Sequence, residues 1–349
     1  MKRLLELFED RESVTETETS FLLGKEMLSK NDSKKKKIHI IAIGDVGGTL
    51  ALGLKLLGGE VISQIGLFDI NEKNSARYEF ELNQINSCLQ DENEMQYDEM
   101  PREQGEMRQE FYDFPNVSVI REDELFDCDI LLFCATLGIP KIGEEKGEQK
   151  DVRMVQLERN KGLVKIYAKQ AIEKNYEGKF YVVSDPVDPL CKAAYEEGLK
   201  REQVRGFGLG VMNARANYYS QKSKVKNIEI YHKEGRAFGP HGGGLIIANS
   251  IKNYDEEASL WLTQKAETAN LEMRELGFKP FIAPAISSGA ISIIDLLKGK
   301  WNYSSICFGS AFWGCRNREN REYIEIENPQ LDERLMDRIK KSYLELSKY

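Results

Sequence analysis

The chain has only three histidines, and one of them, His241, stands in GPHGGG at residues 239–244. Glycine-rich surroundings do not build a core. They bring backbone close to something, or let it turn sharply. The other two histidines read differently: His39 lies inside an apolar run and is expected in a strand, and His232 is expected at a surface or an interface. A second chemical signal is AIGDVGG at residues 42–48. Gly44 and Gly47 fit the second and third glycines of a dinucleotide-binding turn: one lets backbone approach a pyrophosphate, the other lets helix pack on strand. A helix N-terminus following that turn offers free N–H groups to phosphates. Ala42 occupies the position of the first glycine, and Asp45 puts a carboxylate where a pyrophosphate would lie. Asp69 follows Gly44 by 25 positions at the end of the next apolar run. A carboxylate there accepts both ribose hydroxyls of NAD and repels a 2′-phosphate, so NAD is favoured over NADP. An ordinary tight turn with a capping aspartate is the alternative.

These groups must be held by elements. From Ile38 the chain alternates short apolar β-branched runs with helical spacing: KIHIIAIG, TLALGLKLLGG, ISQIGLFDI, NVSVI, DILLFCAT, MVQLERNKGLVKIYAKQAIEKN and KFYVVSDP. Nearly continuous apolar strands between helices imply a parallel sheet covered on both faces. After residue 187 the texture changes. VKNIEIYHKEG suggests antiparallel strands and EEASLWLTQKAETANLEMRELG a long amphipathic helix. SSICFGSAFWG suggests another strand, and the C-terminal PQLDERLMDRIKKSYLELSKY an amphipathic helix. The expected class is α/β, a Rossmann-type doubly wound parallel sheet with a second, mixed α/β catalytic domain. The expected division is an N-terminal arm over 1–36, a nucleotide-binding domain over 37–186 and a substrate domain over 187–349. MKRLLELFED in the arm has helical apolar spacing and could dock on a partner subunit or on the body, or fray.

Bulk properties exclude several classes. A net charge of −8 provides no positive surface for nucleic acid, and KKKK at 34–37 reads as a solvated junction. A hydrophobic content of 41% argues for a folded core. The first 36 residues are too charged for a signal peptide, and no apolar run is long enough to span a bilayer. The expected location is the cytoplasm. Six cysteines with no CxxC read as buried reduced thiols, and no metal site is expected.

In order and spacing, AIGDVGGTLALGL, LFDI, LGIPK, RMVQLERN, SDPVDPL, GVMNARANYY and GPHGGG resemble the lactate/malate dehydrogenase family. The resemblance runs over most of residues 38–300. It implies reversible hydride transfer between NAD and a small 2-hydroxy or 2-oxo carboxylate, and a homodimer or homotetramer. Carried over position by position, it makes His241 the general acid/base and Arg215, in NARAN, the two-pronged grip on the substrate carboxylate. It makes Arg153 the loop arginine that polarises the carbonyl once water is shut out. Asn160 falls near the cofactor, and Lys141, in LGIPK, at the specificity position. A lysine there favours a second anionic group but lacks a bidentate fork. Gly44, Asp45, Gly47, Asp69, Asn160 and Val183 form the implied cofactor set. Lys141, Arg153, Asp185 and Arg215 form the implied substrate set.

Three departures sit at the chemistry. The aspartate that holds the family's histidine is replaced by Met212, three residues before Arg215. Met212 can neither accept an N–H bond nor stabilise an imidazolium, and the neighbouring Asn213 could stand in only without charge. The family's NPVD reads DPVD, so a substrate-facing asparagine becomes Asp185. Ionised, Asp185 would repel an oxyanion and welcome an ammonium or iminium group; protonated, it could donate a hydrogen bond. Finally, Arg153 follows Lys141 by 12 positions, giving a longer and more charged lid than the family pattern. Two readings follow: a dehydrogenase with an altered, nitrogen-bearing or dicarboxylate substrate, or a catalytically impaired protein that binds and senses NAD(H).

Overall fold

The computed structural model describes residues 2–7, 14–16, 20–23, 34–86, 113–137, 149–319 and 323–348. Three short strands come first: β1 (Lys2–Arg3), β2 (Val14–Glu16) and β3 (Ser20–Leu23). The alternating region then supplies β4 (Lys36–Ile41), α1 (Asp45–Leu57), β5 (Ile62–Phe68), α2 (Glu72–Leu82), β6 (Asn116–Val119) and β7 (Ile130–Phe133). It continues with α3 (Gln149–Glu173), β8 (Lys179–Val182), α4 (Val187–Glu196) and β9 (Val204–Gly206). The spatial order β6-β5-β4-β7-β8-β9, all parallel, is the doubly wound order that places a switch point between the first and fourth strands. Here that point lies between the carboxyl ends of β4 and β7. β7 is buried on both faces, as its ILLF sequence requires. One core joins this sheet to α1 and to residues 285–296, and another joins its opposite face to α3 and α4.

The remaining elements are α5 (Leu209–Lys222), α6 (Tyr231–Glu234), β10 (Arg236–Phe238), β11 (Ile246–Ala248), α7 (Glu256–Glu275) and α8 (Ser292–Leu297). They end with β12 (Asn302–Phe308), β13 (Ala311–Glu319), β14 (Ile324–Glu327), β15 (Gln330–Leu331) and α9 (Glu333–Leu346). The sheet does not stop at residue 187. β9 pairs antiparallel with β12, and the order continues through β13, β14, β3 and β2, giving an 11-stranded mixed sheet. β10 and β11 form a separate antiparallel ribbon whose connection carries GPHGGG.

Three expectations need correction. VKNIEIYHKEG is not a pair of strands. It forms turns and the single helical turn α6, because Ile228 and Tyr231, three residues apart, are both buried, while Asn227 turns the chain with φ 65°. SSICFGSAFWG is not one strand but the hairpin β12–β13, reversed at Gly309 with φ 61°. The arm does not begin as a helix. Lys2–Arg3 pairs with β15, and Leu4–Leu7 is one 3-10 turn whose Leu4, Leu5 and Leu7 are buried beside Leu335 and Ile339 of α9. The body of the protein therefore accepts the start of the arm, and β3 adds itself to β14.

Candidate active site

The turn after β4 has the shape its glycine spacing implies. Ala42 takes φ 70°, the left-handed region that the first glycine of such a turn would occupy freely. A Cβ at Gly47 would lie 2.0 Å from the Ala42 carbonyl oxygen, so only glycine lets α1 close onto the strand. A Cβ at Gly44, by contrast, would meet nothing within 4 Å, so the N-terminal end of α1 faces open space. Asp69 stands beside it. Its Oδ2 accepts the Ile43 N–H at 2.7 Å and its Oδ1 the Asn71 N–H at 2.8 Å, which ties the two crevice turns together. Each oxygen keeps a lone pair for a further donor. Asp45, the discordant carboxylate, is matched by a cation: Lys279 Nζ lies 2.9 Å from its Oδ2, both side chains being half-exposed.

At the end of β7, Asn160 of α3 is fully buried and works as a clamp. Its Oδ1 accepts the Leu137 N–H at 2.8 Å, and its Nδ2 donates to the Asp185 carbonyl at 2.7 Å and to Thr136 Oγ1 at 3.1 Å. It joins the loops that follow β7 and β8. Val183 sits just beyond β8, its N–H donating to Phe133 O at 3.0 Å, with its side chain in the core on the α1 side.

The GPHGGG loop is shaped by its glycines. Gly239, Gly242 and Gly244 take φ of 91°, 131° and 94°, and the Gly239 N–H donates to Gly314 O of β13 at 2.8 Å. The His241 N–H donates to Asp188 Oδ2 at 3.3 Å. Asp188 also takes the Ser305 hydroxyl, and burial pushes its carboxyl up to about 6. A Cβ at Gly208, which caps α5, would lie 2.7 Å from His241 Cβ, so glycine there admits the imidazole. The ring nitrogen Nδ1 is buried and lies 3.0 Å from Asp185 Oδ1. The approach is off-axis, so it is a charge contact rather than a straight hydrogen bond.

Arg215 of α5 completes the group. Its Nη1 donates to Ala266 O at 3.1 Å and lies 3.6 Å from Met212 Sδ. Burial depresses its pKa, and the nearby Asp185 carboxylate opposes that shift. His241 and Asp185 thus touch, and Arg215 lies within reach of the Asp185 charge. Met212 is buried among Leu209, Val211 and Ala216, and Asn213 spends its Oδ1 on the Tyr231 hydroxyl at 2.9 Å. Neither hydrogen-bonds to the imidazole. Lys141 lies outside the described residues. Arg153 falls at the start of α3, where only the chain path is described.

Two residues of this site carried no expectation from sequence: Asp188, although it belongs to the SDPVDPL motif, and Ser288, whose Oγ accepts the Val211 N–H and donates to Gly208 O, both at 2.7 Å. Among the described residues no group of three or more His, Cys, Asp or Glu side chains is arranged to hold a metal ion, and no helix is long and apolar enough to cross a membrane.

No family model matches the chain. The L-lactate dehydrogenase of Treponema denticola is 26% identical over 221 residues, covering 63% of this chain and 59% of that protein. The L-lactate dehydrogenase of Clostridium botulinum (strain 657) is 23% identical over 273 residues, 77% of this chain and 72% of that protein. The match to the malate dehydrogenase of Archaeoglobus fulgidus spans only a third of that relative, at 28% identity over 100 residues. Among solved structures, a lactate dehydrogenase from a Medee basin deep-sea metagenome library superposes with a TM-score of 0.67 at 18% identity, covering 90% of this chain and 98% of that one. The Archaeoglobus fulgidus malate dehydrogenase in complex with NADH also gives 0.67 at 18% identity, over 89% and 97% of the two chains. These structural likenesses establish the fold. With the sequence relatives and the motif order, they make the chain similar to the lactate/malate dehydrogenases.

Proposed function

We propose that this protein is an NAD-dependent oxidoreductase that interconverts a small 2-hydroxy acid and its 2-oxo acid, with residues 37–186 as the nucleotide half and 187–349 as the substrate half. The observation that carries the reading is the contact of His241 with Asp185, with Arg215 within reach of the Asp185 charge, beyond the carboxyl ends of the strands, on the side of the switch point. NAD fits the crevice: the open face of Gly44 and the free N–H groups of α1 suit a pyrophosphate, and Asp69 retains acceptor capacity for ribose hydroxyls. When bound, the nicotinamide supplies or accepts the hydride. His241 gives the proton to the carbonyl oxygen in reduction and takes it back in oxidation. Arg215 orients the substrate carboxylate through paired N–H donors, and the desolvation that depresses its pKa also strengthens that grip. Arg153 polarises the reacting carbonyl and Lys141 meets a distal anionic group. Asn160 acts through the loops it clamps, Val183 lines the nicotinamide side, and Asp45 with Lys279 flanks the phosphates. We place the protein in the cytoplasm as a homodimer or homotetramer.

The test combines NADH titration by fluorescence with an absorbance assay over 2-oxo, 2-hydroxy and imino acids. Wild type is expected to bind NADH and to turn over at least one 2-oxo acid, and His241→Ala to lose about 10²–10⁴-fold in kcat with NADH affinity unchanged. The buried, apolar setting of Met212 favours a second reading, a sensor of NAD(H) without chemistry. NADH binding with no turnover across the panel would establish that reading instead.

A further inference from the structure

A catalytic imidazole needs an acceptor on the ring nitrogen turned away from the substrate. That acceptor selects the tautomer, holds the ring in plane and stabilises the imidazolium once the proton arrives. The position from which the family resemblance would supply it is Met212, which is buried in apolar packing and cannot accept a hydrogen bond. Two carboxylates reach His241. Asp188 spends itself on the backbone N–H of His241 and on the Ser305 hydroxyl, so it fixes the loop rather than the ring. Asp185 lies 3.0 Å from Nδ1.

We propose that Asp185 is the positioning residue of His241, so that the orienting carboxylate has moved from the helix carrying Met212 to the loop after β8. The proposal rests on the reading of His241 as the acid/base. Three features suit Asp185 to the task. Its backbone is pinned, because the fully buried Asn160 holds its carbonyl at 2.7 Å. The Arg215 guanidinium nearby favours an ionised Asp185. The Nδ1 it faces is a buried ring nitrogen with no other acceptor among the described residues. With Asp185 on Nδ1, Nε2 is left to face the reacting oxygen. The substitution of Asp for Asn in DPVD and the loss of the helix carboxylate at Met212 then compensate one another.

The experiment uses full-length protein saturated with NADH and labelled with ¹⁵N at histidine, a label that gives only three ring systems to resolve. His241 is assigned by its disappearance in His241→Gln. At a pH where the ring is neutral, wild type is expected to carry its proton on Nδ1. Asp185→Asn should keep that tautomer, since the amide oxygen still accepts, and Asp185→Ala should lose it. In the turnover assay Asp185→Ala is expected to lower kcat by about 10²-fold, the lower end of what a positioned acid/base group contributes. Asp185→Asn, which keeps orientation without charge, should lose at least ~10-fold. In both variants KM for the 2-oxo acid should stay within about threefold, because a positioning role moves kcat whereas a substrate-binding role moves KM. Melting temperatures should stay within about 2 °C, as for other surface changes. An unchanged tautomer in Asp185→Ala, full activity in Asp185→Asn, or a loss confined to KM would overturn the proposal. Absence of turnover in wild type would instead defeat the dehydrogenase reading, and the tautomer measurement would still decide the pairing.

Discussion

The two ends of the crevice are built on different principles. At the proposed nucleotide end the features are those of backbone: the head of α1, a glycine that leaves space, a glycine that permits contact, and one aspartate bracing both turns. At the proposed substrate end they are side chains drawn from separate loops and helices, namely Asp185 after β8, Arg215 on α5 and His241 between β10 and β11. Backbone sites tolerate few substitutions, because each demands one particular φ or the absence of one atom. A side-chain site can lose a group in one place and recover its chemistry from another, as Met212 and Asp185 illustrate. The contrast is one of degree, since Ala42 and Asp45 depart from the pattern at the nucleotide end as well.

The largest expected effect that sharpens this contrast is at Gly47. Gly47→Val places a Cβ 2.0 Å from a carbonyl oxygen that cannot move without the strand. Thermal melts should show a loss of at least ~2 kcal/mol, and NADH titration no saturable binding. Full-strength binding in this variant would break the claim that backbone rules that end. Next comes Asp69→Ala, which removes two backbone brackets and the proposed ribose acceptor. NADH affinity is expected to fall about 10–100-fold in a fluorescence titration, in line with the loss of one or two charge-assisted hydrogen bonds.

Asp188 makes the substrate end measurable by pH. Its carboxyl titrates near 6 in the folded protein, above its ordinary value, because burial disfavours the charged form. The native state therefore binds more protons than the unfolded chain between the ordinary carboxylate range and pH 6. Stability from this group is present below that range and lost as pH rises through about 6. Asp188→Asn should flatten the urea stability profile over that window by on the order of 2 kcal/mol. A profile of unchanged slope would show that Asp188 stays ionised. The smallest effect belongs to Lys279→Ala. Its pair with Asp45 is half-exposed, so stability should change by less than ~1 kcal/mol and NADH affinity by about two- to threefold.

Much of the nucleotide half could be read from the chain because its signals are local. KIHIIAIG and ILLF are mostly apolar, and a run buried on both faces cannot be anything but interior. Glycine spacing within one turn is equally local. The second half resisted for a physical reason. Ile228 and Ile230 alternate with polar residues in VKNIEIYHKEG, and that pattern suits a strand until α5 and α7 are there to bury Ile228 and Tyr231, three residues apart. SSICFGSAFWG hides its reversal in Gly309 because glycine is tolerated in a strand as well as in a turn. The family resemblance implies a place near the cofactor for Asn160, but its hydrogen bonds to Leu137, Thr136 and Asp185 depend on loops that sequence cannot orient.

What the amino-acid sequence determined alone is the doubly wound half, the phosphate-facing turn and the presence of His241, Arg215 and Asp185 as candidate chemistry. The first two follow from short-range patterning; the three residues follow from the resemblance of their motifs to a known family. Only the tertiary structure decided which carboxylate faces the imidazole, that the arm joins the sheet through β3 and β14, and that Lys279 answers Asp45. Those are contacts between distant parts of the chain. Their energy depends on separation and direction in space, which a one-dimensional pattern does not carry.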